Sequence, residues 1–232
     1  MLAAVSSDIR LEAFSSVPDS RRQAVIETFG NAPNGIKTII NRLSQEFAVN
    51  DTRLYRDKNG KIRMEACHYN PANGMIRMNP KYDDGEYAEV FRHEYGHMVD
   101  HKCGNVAVSP NFINAIDNDL AKFKQDPNLK AIMLIDLMSN DAMYDRCVSD
   151  ILSGNFHNDP EIVDTYEREN LSYYHHENNY WDGIEAPQKA RELEMFANLF
   201  SVYSAQGRSD SILFLEKYFP SATNEFKSWF GI

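Results

Sequence analysis

One segment near the middle of the chain constrains the fold more than any other. It begins at Asp83, ends just before Gly104, and contains the sequence His-Glu-Tyr-Gly-His at positions 93–97. An aspartate side chain accepts hydrogen bonds from the first amides of a helix, and glycine commonly follows the last turn. The pattern therefore predicts a helix over 84–102, and the apolar residues on either side of the motif predict that one side of it is buried.

The two histidines of this motif are spaced to bind one metal ion. His93 and His97 are four residues apart, so on a helix their side chains lie one turn apart on one face. Neutral imidazoles in this arrangement suit Zn²⁺, and Glu94 is placed to act as general base toward a water on the metal. A motif of this form would arise by chance in roughly 0.01 of shuffled versions of the chain. The residues therefore favour a zinc site with a built-in base.

The third ligand of such a site is left open by spacing alone. A catalytic zinc site needs three protein ligands and one position for water. His101 and Asp100 lie one turn further along, but a straight helix does not easily wrap three such residues around one ion. Cys103 is a further alternative. Glu194 lies on the border of the apolar face of a later segment, where it is either a ligand or a solvated surface residue. That apolar face contains Leu193, Phe196, Ala197 and Phe200.

The hydrophobic pattern changes along the chain in a way that predicts an α+β fold. Spacing of apolar residues predicts helices from about Pro18 to Gly30 and from about Asn34 to Phe47. After the sheet and the 84–102 helix, further helices are expected over 110–125, 129–137, 140–152, 160–170, 187–206, 209–217 and 221–230. We expect one domain over 1–232, mostly helical, with its parts at 1–50, 51–80, 84–102 and the C-terminal helices.

Between 51 and 80 the pattern indicates strands. Short runs at 53–55, 62–68 and 75–78 are separated by turns that contain Asn-Gly, at 59–60 and 73–74. Asn-Gly between extended runs is the strongest short-range hairpin signal. The sequence therefore predicts a small antiparallel meander of two or three strands.

Composition narrows the class of partner. The formal net charge is −10, which argues against a nucleic acid or an anionic membrane surface as the main partner. The three cysteines form no CxxC pair, which is typical of free thiols in a reducing compartment. No apolar stretch is long enough for a signal-peptide core or a membrane span, so we expect a protein that is cytoplasmic when synthesised.

Two segments together resemble a known class of enzyme. The run from His93 to Asp100, followed by Glu194-Met195-Phe196-Ala197-Asn198-Leu199-Phe200, is similar to the gluzincin-type zinc metallopeptidases. Within that class it resembles anthrax lethal factor-like enzymes and the metallopeptidase domains associated with phage minor head proteins. Softer similarities at 66–79, 149–152 and 180–181 extend the resemblance to about residues 60–206.

The resemblance implies a site and a fold. It implies a zincin-like fold, with a small antiparallel or mixed sheet over the 84–102 helix and Glu94 as general base. Anthrax lethal factor-like enzymes carry a tyrosine shortly before the glutamate helix, and this tyrosine can stabilise the oxyanion. Pro187 stands at the matching distance here, so we expect Tyr180 to take that role, with His176 and His175 behind it. The implied Zn²⁺ ligands are His93, His97 and Glu194.

The function implied is hydrolysis of a peptide bond in a protein or peptide substrate, by Glu-assisted attack of a metal-bound water. The sheet of such enzymes offers an edge strand to an extended substrate, for which Met75–Met78 is the candidate. The resemblance implies a phage or prophage origin, with a virion-associated or delivered protein and a phage head or toxin assembly partner. The alternatives are a catalytically inactive, zinc-stabilised structural or interaction module of a virion or toxin, and a helical interaction protein without metal.

Overall fold

The chain is described by a computed structural model that covers residues 8–156, 159–168, 178–181, 189–205 and 209–232. It divides into two compact units, one formed by Met1–Gly104 with Ser204–Gln206 and the other by Asn105–Tyr203 with Gly207–Ile232. The prediction of an α+β fold that is mostly helical with a small sheet is confirmed. The prediction of one domain over the whole chain stays a prediction.

Within its described residues, the first unit contains three α-helices and five short strands. A 3₁₀ turn at Leu11–Phe14 precedes the helices. The helices are α1 (Asp19–Thr28), α2 (Asn34–Arg42) and α3 (Asp84–Lys102). The strands are β1 (Ala48–Asp51), β2 (Leu54–Arg56), β3 (Ile62–Met64), β4 (His68–Asn70) and β5 (Met75–Met78).

The strands form two sheets, and the predicted single meander is wrong. β1, β5 and β4 form a mixed sheet in that order, with β1 parallel and β4 antiparallel to β5, while β2 and β3 pair as a separate hairpin. The prediction of Met75–Met78 as the edge strand is also wrong, because β5 is paired on both sides. Ile76 and Met78 of β5 are fully buried, as expected for a central strand. The edges are β1 and β4.

The second helix is shorter than its apolar spacing predicts. It was expected to reach Phe47 but ends at Arg42, and a turn closed by the Glu46 amide on the Leu43 carbonyl leads into β1. Phe47 is nevertheless buried. Its ring packs against the ring of Tyr95, with centroids 5.3 Å apart. Phe47 therefore reaches the core from the segment between this turn and β1, although its spacing from Leu43 is that of a further helical turn.

The predicted boundaries of α3 are confirmed at both ends. The Asp83 side chain accepts a 2.9 Å hydrogen bond from the Glu86 amide, which satisfies one of the free donors of the first turn. At the other end the Cys103 amide donates to the Val99 carbonyl, and Gly104 leaves the helix with φ +98°. A side chain is strained at that φ, so glycine suits the position. Strands β4 and β5 contact α3, which places the small mixed sheet against the helix of the motif.

An aromatic cluster forms the core of the first unit and fixes α3 within it. The Phe14 ring is fully buried and lies 5.3 to 6.5 Å, between ring centroids, from four other rings. The four rings belong to Phe29, Phe47, Phe91 and Tyr95. Two of them, Phe91 and Tyr95, are on α3 on either side of the first motif histidine. The packing of this cluster therefore sets the rotation of α3 about its axis.

Replacing Phe14 with alanine should lower the free energy of unfolding by about 3–5 kcal/mol, because the fully buried ring leaves a cavity among four rings that cannot all close it. Urea unfolding followed by near-ultraviolet circular dichroism measures this loss. Tyr144→Ala removes an aromatic ring that is 69% exposed, so it should change stability by less than about 0.5 kcal/mol. Equal effects of the two substitutions would show that the cluster does not dominate the core.

The second unit is helical throughout its described residues. Short 3₁₀ helices lie at Val106–Val108 and Asp141–Tyr144. The α-helices are α4 (Pro110–Gln125), α5 (Pro127–Met138), α6 (Arg146–Phe156), α7 (Pro160–Arg168), α8 (Asn178–Trp181), α9 (Ala190–Ser204, its last residue grouping with the first unit), α10 (Ser209–Tyr218) and α11 (Pro220–Phe230). Within the described ranges, no helix has the length and apolar character that crossing a membrane requires.

Most of the predicted helices of this unit are confirmed, with one break. The expected helix over 140–152 is divided at Asp145, whose backbone is extended. The Asp145 carboxylate accepts hydrogen bonds from the Cys147 amide, at 2.9 Å, and from the Ser211 hydroxyl, at 2.5 Å. An aspartate that bonds the amide two residues ahead competes with helix formation at its own position, so the chain restarts its helix at Arg146.

Helix α9 is buried on all sides, whereas the sequence predicted one apolar face. Every residue from Glu194 to Ser204 is buried. The Phe196 ring packs edge-on against Phe112 of α4, 5.8 Å away, and against Phe226 of α11, 5.3 Å away. A buried 2.6 Å hydrogen bond from the Asn198 amide to the Asp150 carboxylate ties α9 to α6. The polar residues of α9 from Glu194 onward therefore lie inside the protein and do not mark a solvated face.

Candidate metal centre

The two motif histidines face each other across one turn of α3. The Nε2 atoms of His93 and His97 are 3.1 Å apart, and the rings stand at 87° to one another. Two ligands of a tetrahedral Zn²⁺, each 2.0–2.1 Å from the ion, are separated by about 3.3 Å. Both side chains are half-buried. The pair therefore has the separation that a shared zinc ion requires.

Glu94 lies beside this pair in a protected position. Its side chain is buried, with the residue 6% exposed, although it adjoins two half-buried histidines. Cys67, on the segment that leads into β4, is close enough to interact electrostatically with it. Burial, and then the nearby charge of Glu94, raise the pKa of the Cys67 thiol to about 11, against the opposing hydrogen bond from the Asn79 amide. The Glu94 carboxylate therefore contributes to the electrostatic surroundings of the segment before β4.

The predicted third ligand, Glu194, is also buried. It lies in the first half of α9 and is 4% exposed, which rules out the alternative of a solvated surface residue. Its Oε1 atom accepts a 2.5 Å hydrogen bond from the Tyr180 hydroxyl. A carboxylate has two oxygens, so one can accept this hydrogen bond while the other binds a cation.

The structure brings the three predicted ligands together. One ligand atom from each of His93, His97 and Glu194 lies within 4.8 Å of the other two, and this is the only such group of three His, Cys, Asp or Glu residues among the described residues. Two imidazoles and one carboxylate, with a fourth position for water, form a known catalytic zinc set. The donor chemistry therefore fits Zn²⁺, and the occupancy of the group by a metal stays a prediction.

The alternative ligands on the same helix have other partners. The Nδ1 atom of His101 is 2.8 Å from the Tyr69 hydroxyl on β4, with which it shares a hydrogen bond. The thiol of Cys103 accepts a hydrogen bond from the Arg42 guanidinium at 3.2 Å. Asp100 is buried but outside the group. None of the three belongs to the set of ligand atoms that come together.

Of the residues predicted to stabilise an oxyanion, Tyr180 can be placed. It lies on the short helix α8, and its hydroxyl donates to the ligand carboxylate. His176, with His175 and Pro187, lies outside the described residues. The role of Tyr180 in catalysis stays a prediction, but its hydroxyl is one hydrogen bond away from the candidate metal group.

Trp181, the neighbour of Tyr180, holds the short helix α8 against α6. The sequence did not predict these contacts. The Trp181 indole donates a 3.1 Å hydrogen bond to the Ser153 hydroxyl, and its ring covers Gly154 of α6. A Cβ on Gly154 would lie 3.1 Å from two carbons of that ring, Cη2 and Cζ3. The Tyr180 and Trp181 rings pack edge-to-face, 5.1 Å apart. The helix predicted over 140–152 stops short of Gly154, whereas α6 continues to Phe156, and a glycine inside a helix indicates close approach by another group.

Comparisons with known proteins add no assignment. No family model matches the chain, and neither a curated protein nor a solved structure matches it.

Tyr180→Phe should weaken zinc binding by about tenfold, because it removes the hydrogen bond that orients the Glu194 carboxylate. A titration against a chromophoric zinc chelator measures the change. Tyr203→Phe is a matched control. Tyr203 lies on α9, as Glu194 does, and the substitution removes a 2.9 Å hydrogen bond from the Tyr203 hydroxyl to the Glu216 carboxylate. Unchanged zinc affinity in Tyr180→Phe would show that the tyrosine does not orient the ligand.

Proposed function

We propose that this protein is a zinc-dependent metallopeptidase with a zincin-like arrangement of site helix and sheet. The observation that carries the proposal is the grouping of His93, His97 and Glu194, with Glu94 directly beside the first ligand. Both the ligand types and the glutamate are those that metal-assisted hydrolysis of a peptide bond uses.

Each ligand contributes a distinct property to the proposed site. His93 and His97 offer neutral nitrogen donors from one rigid helix, and Glu194 adds a negative charge from a fully packed one. Rigid helices hold ligands more accurately than loops, which favours a fixed coordination geometry. When bound, zinc would lower the pKa of a coordinated water to about 7 and polarise the substrate carbonyl.

Glu94 carries the proton in the proposed reaction. Its carboxylate accepts the proton that the attacking water loses and then donates it to the amine that leaves. The residue is buried, so little bulk water competes for that proton. The Tyr180 hydroxyl, which donates to Glu194 in the structure, is the candidate donor to the oxygen that becomes negative.

The proposal is tested by incubating zinc-loaded protein with a peptide library made from digested cell protein and identifying new peptide ends by mass spectrometry. We expect new ends that disappear with a zinc chelator and return when zinc is restored. Cleavage that persists in the chelator would contradict a metal-dependent mechanism and point to contamination by another protease. Zinc binding without any cleavage would favour the alternative of a zinc-stabilised module.

A further inference from the structure

The β2–β3 hairpin is an exposed structure that the proposed reaction does not use. Its two strands pair only with each other among the strands of the described residues, and they flank the turn at 57–61. Three large apolar side chains on it are exposed: Leu54 by 67%, Tyr55 by 52% and Ile62 by 56%. Because apolar side chains rarely concentrate on a solvated two-stranded ribbon, the hairpin has the character of a binding surface.

The net charge of the hairpin is opposite in sign to that of the rest of the chain. Residues 52–65 contain five Lys or Arg and two Asp or Glu, a net charge of +3, in a chain with a net charge of −10, so the remaining residues carry −13. Both carboxylates are already paired with arginines: Asp57 with Arg63, at 3.1 Å, and Glu65 with Arg77, at 3.8 Å. Exposed cations that form no ion pair within the described part of the chain remain, namely Arg53, Arg56, Lys58 and Lys61.

The base of the hairpin leads into strand β4, which packs against the helix of the motif. Its strands are joined at the base by the Glu65 amide, which donates a 2.8 Å hydrogen bond to the Arg53 carbonyl. Directly after it come Cys67, whose thiol accepts a hydrogen bond from the Asn79 amide at 3.2 Å, and then β4, which contacts α3. A polypeptide that reaches Glu94 past the edge strand β4 therefore comes within reach of the hairpin.

We propose that the β2–β3 hairpin binds an acidic stretch of polypeptide, the part of the substrate that adjoins the bond to be cut. This inference rests on the proposed peptidase function and adds a substrate class to it. Exposed cations match carboxylates, the exposed apolar side chains match those of a peptide, and the free strand edges can pair with an extended backbone. A nucleic acid would gain little from the apolar side chains and would be repelled by the charge of −13 on the remaining residues.

The test measures binding without cleavage. A fluorescein-labelled peptide that repeats Glu-Leu-Ser is titrated with zinc-loaded Glu94→Gln protein, and its affinity is read from fluorescence anisotropy. Lys58→Glu/Lys61→Glu in that background should weaken binding by about tenfold, since each exposed cation becomes a repelling charge. Binding should also weaken as salt is raised to about 0.5 M. Lys37→Glu/Lys124→Glu, which reverses two lysines outside the hairpin, should leave the affinity within about twofold.

Three outcomes would overturn the inference: equal affinity in the two double variants, equal binding of a Lys-Leu-Ser repeat, or tighter binding of an oligothymidylate or of phosphatidylserine vesicles than of the acidic peptide. Lys58→Gln/Lys61→Gln, which removes charge without reversing it, should give an intermediate affinity. Peptide binding by the hairpin does not require zinc or turnover. Loss of the hairpin effect with intact proteolysis therefore sinks this inference alone, whereas absent proteolysis with intact binding sinks the proposed function and leaves the hairpin as a peptide-binding surface without a role in substrate cleavage.

Discussion

Purified Glu194→Ala protein should contain almost no zinc under conditions in which the unsubstituted protein holds about one zinc per chain. The substitution removes the only carboxylate of the three-residue group found among the described residues, from a buried position. Loss of an outer hydrogen-bond partner of a ligand costs 10–100-fold in metal affinity, so loss of the ligand itself should cost more than about 10²-fold. Elemental analysis of dialysed protein gives the metal content directly.

Two further variants make the result specific to Glu194. His101→Ala should keep its zinc, because His101 is hydrogen-bonded to Tyr69 and lies outside the ligand group. Glu194→Gln preserves the shape of the side chain but offers a neutral oxygen, so it should bind zinc more weakly without loss of folding. Zinc that is lost with His101→Ala and kept with Glu194→Ala would reject this ligand set. A protein that takes up no zinc after reconstitution would reject the metal centre.

The part of the site that lies on one helix, His93 and His97, could be predicted from the sequence because the geometry of a helix depends only on neighbouring residues. A spacing of four residues within a well-capped segment is sufficient to place His93 and His97 on one face, and the 3.1 Å between their Nε2 atoms agrees with that expectation. Glu194 is far along the chain, and no spacing rule connects it to the motif. A resemblance suggested it, and the burial of Glu194 removes the alternative of a solvated side chain.

The parts that could not be predicted are those set by long-range pairing. The parallel pairing of β1 with β5, in which Val49 lies opposite Ile76, depends on the path of the chain between them and not on any local turn. The same pairing makes β5 central, which is why an edge role for it was wrong. Likewise, the sequence placed Glu194 on the border of an apolar face, whereas the side chain is buried and accepts a hydrogen bond from Tyr180.

Glu94→Gln should reduce peptide hydrolysis by about 10²–10⁴-fold while leaving zinc content unchanged. Glutamine has nearly the same shape as glutamate but cannot accept and return a proton at neutral pH, so only the proton transfer is lost. The rate is measured as the appearance of a new amine from a peptide found in the library screen. Glu46→Gln is the matched control, because it removes a carboxylate that pairs with Lys102 at the far end of the same helix, at 3.1 Å.

The combination of zinc content and rate separates the candidate functions. Loss of hydrolysis in Glu94→Gln with full zinc content and an unchanged melting temperature is the result that a general base predicts, because a purely structural zinc site needs no base. Hydrolysis within about threefold of the unsubstituted rate would instead assign the proton transfer to another group, for which Tyr180, whose hydroxyl donates to Glu194, is a described candidate. If neither protein cleaves any peptide but both melt at a lower temperature once zinc is removed, the metal serves folding alone, and Glu94 is a buried neighbour of the ligands without a catalytic role.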